Sequence, residues 1–267
     1  MGKGVWIQIS ALGTLVAGLA YAWLIEPARV EVTHHRVESS AKGEPPIRLV
    51  QLSDLHLQSI GRREQAVARE VQALKPDLLV LSGDVIDDAA KLSVLEAFLP
   101  LLGSGEKVAV LGNWEHWLDL DVDELRALYA RHRVRLLVNE HAAYRFGDRT
   151  VQITGLDDFT GGRPQVNTAE SSRPGSVRLL IQHSPGWFRT PEAAAINRRF
   201  DLCLAGHTHG GQIALFGLPL WTPRGSGDFV AGRYDLAMCP LYVSRGIGTS
   251  IAPVRFGARP EIAVFSL

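Results

Sequence analysis

Two histidines separated by a single residue, His207 and His209, lie in the glycine-rich stretch GHTHGGQ, directly after the apolar run Phe200–Ala205. If that run forms a buried strand, the histidines follow its carboxyl end, which is where α/β sheets place their ligands. Imidazole is the commonest metal ligand in proteins, and this spacing can direct two of them at neighbouring positions. A histidine-containing loop without a ligand is the alternative for this motif taken alone.

Polar side chains follow four further apolar runs of the chain. Each run is short enough for a buried strand, and the next few residues offer a carboxylate, an amide or an imidazole. These residues are Asp54 and His56 after Ile47–Ser53, Asp84 after Leu78–Ser82, Asn113 after Val108–Gly112, and His183 after Val177–Ile181. A turn or capping role can explain any one of them. Together with the two histidines, these strand ends favour a shared metal site.

The elements that must position these residues alternate between strand and helix in the first half of the chain. Arg62–Leu74 carries Val67 and Val71 on one face, with the spacing of an amphipathic helix. Ala89–Leu102 and Asp121–Arg131 are predicted as the next helices. Strands separated by helices at this spacing indicate βαβ units and a parallel sheet.

Short strands separated by loops rich in glycine and proline dominate the second half. They are predicted at Ala143–Phe146, Val151–Thr154, Val177–Ile181, Phe200–Ala205, Leu241–Ser244 and Glu261–Phe265, with one further strand at Arg29–Glu38 near the start. The sequence contains no internal repeat and no linker between the halves. We therefore expect one α/β domain, built from two layers of sheet with flanking helices.

The composition does not favour a nucleic-acid partner. The 267 residues carry a formal net charge of zero, so the chain has no basic excess of the kind that indicates a nucleic-acid-binding surface, and no such partner is expected. Its two cysteines, Cys203 and Cys239, form no CxxC motif. Cys203 falls inside an apolar run and is predicted to be a small buried hydrophobic residue, with no disulfide framework, so the cysteines do not indicate a compartment.

The amino-terminal segment Gly4–Ile25 contains no charged residue and is about long enough to cross a bilayer as a helix. Trp6 near one end, and Tyr21 with Trp23 near the other, are typical of interfacial aromatic belts. A cleaved signal peptide is the alternative, but the bulky end of the segment favours an uncleaved anchor. We predict a single-pass anchor in residues 1–27 and a folded domain in residues 28–267, with the side of the membrane left open.

The motifs D-x-H, G-D, G-N, H and G-H-x-H, in this order, make the chain resemble the calcineurin-like metallophosphoesterases. The segments GHTHGGQ, FGLPLWTP and YVSRGIGTS make it similar to the membrane-anchored YkuE- and YaeI-type branch of bacterial proteins. The resemblance implies a two-sheet metallophosphoesterase sandwich at a bacterial inner membrane. It also implies a dinuclear centre, with Asp54, His56 and His209 on one metal, Asn113, His183 and His207 on the other, and Asp84 bridging both.

Such a ligand set has a definite chemistry. Oxygen and imidazole ligands suit Mn, which we expect, or Fe and Zn, while Mg is a further candidate. Two divalent ions about 3.5–4 Å apart acidify a water to hydroxide and neutralise the phosphoryl oxygens during in-line attack. The predicted enzyme is thus a dinuclear hydrolase of phosphoric ester or anhydride bonds.

One position departs from the family motif G-N-H-[DE], because Trp114 stands where the histidine is expected. Indole donates a hydrogen bond but cannot act as a general acid. His116, two residues further on, is a candidate catalytic acid beside Asp84 and Asn113, and an ordinary loop histidine is its alternative. Losing a general acid forfeits about 10²–10⁴ in rate for a poor leaving group. The departure therefore favours pyrophosphate or activated phosphodiester bonds over simple alkyl phosphates.

Candidate substrate contacts are less specific. Trp114 and Arg245 are predicted to touch the substrate, and for Arg245 a structural ion pair is the alternative. Phe216, Leu218 and Trp221 follow the histidine turn and could form an acyl-chain groove or pack a long loop.

The leading functional hypothesis is an anchored phosphoesterase with a lipid-linked or nucleotide-diphosphate substrate. Some relatives of the resembled branch hydrolyse UDP-2,3-diacylglucosamine during lipid A biosynthesis, which makes that compound one candidate. A broad phosphodiesterase acting on nucleotides or cell-envelope phosphates is one alternative. A metal-binding scaffold without turnover is the other.

Overall fold

Two six-stranded β-sheets lie face to face in the computed structural model, which describes residues 13–14, 16–37, 46–166, 176–196 and 200–267. The strands are β1 (Glu31–Arg36), β2 (Arg48–Leu52), β3 (Leu78–Ser82), β4 (Glu106–Val110), β5 (Val134–Leu136), β6 (Glu140–Phe146), β7 (Arg149–Gly155), β8 (Val177–Ile181), β9 (Leu202–Ala205), β10 (Ala214–Leu215), β11 (Leu218–Pro219), β12 (Gly232–Asp235), β13 (Pro240–Val243) and β14 (Glu261–Ser266). The sheet orders are β1-β14-β2-β3-β4-β5 and β12-β13-β9-β8-β7-β6, and β10 and β11 form a separate hairpin.

Parallel strands form the centre of each sheet. In the first sheet β2, β3, β4 and β5 are parallel, and in the second β7, β8, β9 and β13 are parallel. Beyond the amino-terminal segment, the α-helices of the described chain are α1 (Arg62–Leu74), α2 (Leu92–Phe98), α3 (Asn113–Trp117), α4 (Val122–Arg131) and α5 (Pro191–Ala194). Because the parallel strands point the same way within each sheet, their carboxyl ends meet along one edge of the domain.

Alternation along the strands divides the core into layers. Leu49 and Val80 face the second sheet, whereas Val50 and Leu79 face the helices that cover the first. Helices α1, α2 and α4 contribute their apolar faces to that outer layer. The two-sheet α/β sandwich with flanking helices expected from the sequence is therefore observed.

The helix predicted at Arg62–Leu74 has those bounds in the structure. The longer helix predicted at Ala89–Leu102 consists instead of α2 between two 3₁₀ turns, the second containing Pro100. Proline lacks the N–H that an α-helix interior uses, which explains the break. The predicted strand Arg29–Glu38 is β1, shorter at both ends, and Glu38 lies outside the described residues.

In the amino-terminal segment, residues 16–20 form an α-helical stretch, and a π turn at Tyr21–Ile25 follows it. The Tyr21 ring meets the Phe256 ring edge-on, with centroids 6.2 Å apart, and the Arg255 N–H donates to the Ala22 carbonyl at 2.9 Å. No helix in the described part of the chain has both the length and the apolar character to cross a membrane. Residues 1–12 and 15, which make up much of the predicted anchor, lie outside that part.

A disulfide bond joins Cys203 of β9 to Cys239, just before β13. Cys203 is buried, as its apolar run predicts, but the expectation of no disulfide is wrong. Strands β9 and β13 are parallel neighbours, and their pairing brings the two Cα atoms to 5.9 Å. Sequence spacing could not show this proximity, because a separation of 36 residues does not indicate which strands pair.

The disulfide should contribute measurably to stability. Replacing both cysteines, Cys203→Ala with Cys239→Ala, should lower the free energy of unfolding by about 3–4 kcal/mol, because the bond restricts a long loop in the unfolded chain. Urea unfolding of the variant and the wild type measures the difference. Wild-type protein that is alkylated at two thiols after unfolding without a reductant would contradict the prediction.

Candidate metal centre

Seven candidate ligands lie at the carboxyl ends of parallel strands from both sheets. Asp54 and His56 follow β2, Asp84 follows β3, and Asn113 follows β4; His183 follows β8, and His207 and His209 follow β9. All seven side chains are buried. The structure therefore brings together every residue that the sequence proposed as a metal ligand.

The backbone at these strand ends is strained. Five of the seven ligands have positive φ angles, namely Asp54 (52°), His56 (42°), Asp84 (53°), His207 (71°) and His209 (53°). Non-glycine residues adopt this left-handed conformation at a cost of about 1–3 kcal/mol each, and such strain persists mainly at functional sites. Sharp turns of this kind redirect each side chain from the sheet toward a common point.

Asp54, His56 and His209 form the first ligand group, with their ligand atoms all within 4.8 Å of one another. His56 Nε2 and His209 Nε2 are 3.2 Å apart, and Asp54 Oδ1 lies 3.5 Å from His209 Nε2. One carboxylate and two imidazoles at this separation can bind a divalent ion.

Asp84, His183 and His207 form the second group, also within 4.8 Å. Asp84 Oδ2 lies 3.2 Å from His183 Nε2 and 3.8 Å from Nε2 of His56 in the first group. Asn113 Oδ1 is 2.7 Å from His207 Nδ1. Asp84 thus faces both groups, which is the position of a bridging ligand.

Hydrogen bonds fix which imidazole nitrogens face the centre. His183 donates Nδ1–H to the Ser82 carbonyl at 2.7 Å, and its buried Nε2 has no hydrogen-bond partner among the described residues. His207 donates Nε2–H to the Arg224 carbonyl at 2.8 Å, which leaves the Nδ1 lone pair toward the Asn113 amide. Lone pairs that converge in a buried site suit a cation, so the residues present fit the two metals.

Asp84 carries its negative charge despite complete burial. Burial alone raises the pKa of Asp84, but the neighbouring His183, His56 and His207 imidazoles together outweigh it and hold that pKa at about 2. The Trp114 N–H also donates to Asp84 Oδ1 at 2.9 Å. In the first group, the His207 N–H donates to Asp54 Oδ1 at 2.9 Å. Backbone donors therefore hold both carboxylates in place.

Glu115 organises two of the ligand loops, and the sequence analysis did not single it out. Its buried carboxylate accepts the N–H groups of Gly112 at 2.7 Å, Asp84 at 3.1 Å and Val85 at 2.7 Å. Burial, followed by the charge of Asp84, raises the pKa of Glu115. The sequence does contain a signal for this role, because an acidic residue stands three positions after Gly112. This is the spacing of a capping box at the start of a helix, here α3.

Gly83 allows the Asp84 loop to approach His183. Its φ of +95° favours glycine, and a Cβ at this position would lie 2.5 Å from His183 Nδ1. Any side chain would displace a ligand.

The family described as Calcineurin-like phosphoesterase matches residues 47–211, which include every ligand. The chain belongs to this family. YkuE of Bacillus subtilis (strain 168), named an uncharacterized metallophosphoesterase, is 32% identical over 278 residues, covering 99% of this chain and 95% of that protein. Phosphodiesterase YaeI of Escherichia coli (strain K12) is 26% identical, covering 94% and 93%. A transmembrane protein with metallophosphoesterase domain from Bos taurus is 32% identical, covering 87% of this chain and 55% of that protein. The protein is accordingly a metallophosphoesterase-type hydrolase with a candidate dimetal centre.

A cavity of about 1060 Å³ opens above the metal ligands of this phosphoesterase. Asp84, Asn113, His207 and His209 line its floor. Its walls are largely apolar and include Trp114, Trp117, Leu220, Trp221 and Ile251. Trp114 lies edge-on to His56, with ring centroids 5.9 Å apart, so the predicted substrate contact at Trp114 is at the cavity wall.

His116 and Arg245 lie elsewhere. His116 Nε2 is 2.6 Å from Asp157 Oδ1, and neither residue lines the cavity. Arg245 also lies outside the lining, because its guanidinium contacts Glu31 at 2.9 Å and Glu261 at 3.2 Å. For Arg245 the structure shows the ion pair that was the alternative to phosphate binding. His116 as the catalytic acid stays a prediction, which its position outside the cavity lining does not favour.

The His116→Gln variant distinguishes the two roles. If the residue is structural, turnover of bis-p-nitrophenyl phosphate should fall less than about tenfold, well short of the loss of about 10²–10⁴ expected on removing a general acid. Steady-state kinetics with added Mn²⁺ measure this. A loss within the larger range, with unchanged folding, would assign the acid role to His116.

The same variant should change how stability depends on pH. The hydrogen bond to Asp157 is the main cause that raises the pKa of His116, so the pair stabilises the fold most when His116 is protonated. Because the pKa of His116 is higher in the folded state, protonation of His116 stabilises the fold. This stabilisation is fully present below the pKa of histidine in the unfolded chain, about 6.5, and it is lost as the pH rises through the pKa of His116 in the folded chain. The difference in unfolding free energy between wild type and His116→Gln should therefore shrink as the pH rises above neutrality. A difference that grows with pH would contradict this.

Proposed function

We propose that this phosphoesterase hydrolyses phosphodiester or pyrophosphate bonds in lipid-linked substrates. The observation that carries the proposal is the cavity, because members of both ligand groups, His209 of the first and Asp84 and His207 of the second, lie at its floor beneath an aromatic and aliphatic wall. Bound there, two divalent ions, with Mn expected and Fe, Zn or Mg as alternatives, would supply an acidified water and neutralise phosphoryl charge. UDP-2,3-diacylglucosamine, a lipid A precursor, is one substrate with these features.

The residues around the floor support bonds with good leaving groups. Trp114 stands beside Asp84 where a histidine could otherwise donate a proton, and His116, paired with Asp157, lies outside the cavity lining. A leaving group that is stable as an anion, such as a phosphate, needs no such donor. Pyrophosphates and activated phosphodiesters therefore fit this site better than alkyl monoesters.

Arg224 supports a substrate with a second anionic group. It is exposed and is the only lysine or arginine among the described residues that line the cavity. Its side chain forms no ion pair or hydrogen bond with the described part of the chain. The Arg224 carbonyl is also the acceptor for His207, which places this residue next to the metal ligands. Its guanidinium would bind a phosphate that does not react.

Membrane attachment is part of the proposal. Residues 1–27 would form a single-pass anchor, since Gly4–Ile25 is uncharged and of about the right length. The Cys203–Cys239 disulfide favours an oxidising compartment for the domain, because such bonds are rare in the cytosol. The two features support a domain held at the outer surface of a bacterial inner membrane.

A metal-binding scaffold without turnover is the second candidate. Trp114 in the position of the family histidine is the observation that favours it. A broad phosphodiesterase acting on nucleotides would use the same metal centre, and only its substrate range would differ.

Turnover by the purified full-length chain decides between enzyme and scaffold. With Mn²⁺ added, the wild type should hydrolyse bis-p-nitrophenyl phosphate, and Asp84→Asn should lose most of that activity because the bridging charge is removed. Asp148→Asn, a change at an exposed turn far from the cavity, is the matched control and should keep full activity. A folded wild type that binds Mn²⁺ but hydrolyses no phosphoester would support the scaffold.

A second assay ranks the substrate classes. UDP-diacylglucosamine, nucleotide diphosphates and phospholipids are offered side by side to the wild type, and their rates of hydrolysis are compared.

Arg224 gives a second prediction. Arg224→Ala should raise KM about tenfold for substrates with two phosphates, which corresponds to about 1.4 kcal/mol, and should leave KM for bis-p-nitrophenyl phosphate nearly unchanged. Arg224→Lys should restore part of the binding. Equal effects on both substrate types would show that Arg224 does not bind the second anion.

A further inference from the structure

Six large apolar side chains of the β10–β11 hairpin and the stretches beside it are exposed next to the cavity, and we refer to them as the apolar rim. They are Leu215, Phe216, Leu218, Leu220, Trp221 and Ile251. Phe216 is fully exposed at the tip of the β10–β11 hairpin, where Phe216 and Gly217 form a two-residue turn. No charged residue occurs between positions 213 and 221. Monomeric soluble proteins rarely expose such a contiguous apolar patch without a partner for it.

Hydrogen bonds connect the base of the hairpin to the stretch that carries Ile251. The Gln212 side chain, at the base of the hairpin, donates to the Ser250 and Ala252 carbonyls at 3.1 and 3.0 Å. The Ser250 N–H donates back to Gln212 Oε1 at 2.9 Å. Ile251 is therefore held beside the hairpin. Leu220, Trp221 and Ile251 also line the cavity, so the rim is continuous with the wall of the substrate site.

The amino-terminal segment reaches the domain beside this rim. Phe256 connects the two features, because its ring contacts Tyr21 and its backbone pairs with Gln212 and Ala214 at the base of the hairpin. The Glu26 carboxylate accepts the Ala258 N–H at 2.9 Å and ties the end of the segment to the same stretch. The described end of the uncharged segment, at Tyr21 and Ala22, thus lies beside the stretch that pairs with the base of the exposed hairpin.

We propose that the apolar rim inserts into the lipid bilayer and opens the cavity at the membrane surface. The occupant is a bilayer because a chain anchored by its amino-terminal segment holds this face against lipid, where uncharged aliphatic and aromatic side chains gain from leaving water. Trp221 suits the interface, where its ring is amphipathic, and Arg224 three residues later would lie at the level of anionic head groups. The inference rests on the proposed function for its substrate, but the insertion itself is independent of catalysis.

A matched hairpin at the opposite end of the domain provides the control. The turn Gly147-Asp148 joins β6 to β7 and also contains two residues. This turn comes just before β7, and the carboxyl end of β7 lies on the same side as the metal ligands, because β7 is parallel to β8. The turn therefore lies at the end of the domain opposite the cavity. Both native cysteines are in the disulfide, so an introduced cysteine is the sole free thiol.

Fluorescence quenching tests the insertion. The full-length variants Phe216→Cys and Asp148→Cys are labelled with bimane and reconstituted into vesicles of phosphatidylcholine and phosphatidylglycerol. Brominated acyl chains should quench the label at position 216 and not at 148, whereas aqueous iodide should quench only the label at 148. Quenching of position 216 by iodide would overturn the proposal. So would protection of position 216 from both quenchers, which indicates a second protein copy or another protein on the rim.

Activity separates this proposal from the proposed function. The double variant Phe216→Ser with Leu218→Ser changes only residues outside the cavity lining. It should keep wild-type turnover of bis-p-nitrophenyl phosphate and lose at least about tenfold in turnover of a phosphodiester lipid held in vesicles. Equal turnover of the vesicle substrate by variant and wild type would overturn the role of the rim. A wild type inactive on both substrates would contradict the proposed function, while the quenching result would still decide the insertion.

Discussion

The burial of carboxylate oxygens and imidazole lone pairs against one another is the constraint on which the rest of the structure depends. Asp54 and Asp84 are almost fully buried, and His183 Nε2 has no hydrogen-bond partner in the described part of the chain. In a dry site such an arrangement is costly unless a cation lies between the groups. The strained strand ends, the Glu115 contacts and the close approach at Gly83 all maintain this arrangement.

The two-sheet architecture explains why the centre has two parts that share one ligand. The first sheet supplies Asp54, His56, Asp84 and Asn113, and the second supplies His183, His207 and His209. In each candidate group the carboxylate therefore comes from the first sheet, and at least one imidazole comes from the second sheet. Any change in how the sheets pack would separate the ligands, so the core between the sheets supports the chemistry directly.

The sequence predicted the fold class and the seven side chains that converge at the candidate centre, because each of them follows an apolar run whose period and length indicate a strand. It could not predict contacts that depend on strand order. The Cys203–Cys239 disulfide, the insertion of β14 between β1 and β2, and the position of Arg224 beside His207 arise from long-range pairing that no local pattern encodes. Arg245 shows the converse, since its motif suggested a phosphate ligand whereas its surroundings contain two carboxylates.

The presence of two ions is the central claim, and anomalous diffraction from crystals grown with Mn²⁺ tests it most directly. We expect two anomalous peaks about 3.5–4 Å apart, one contacting Asp54, His56 and His209 and the other contacting Asn113, His183 and His207, with Asp84 touching both. A single anomalous peak would contradict the two-ion centre. So would the absence of any peak in a crystal in which the seven side chains hydrogen-bond directly to one another.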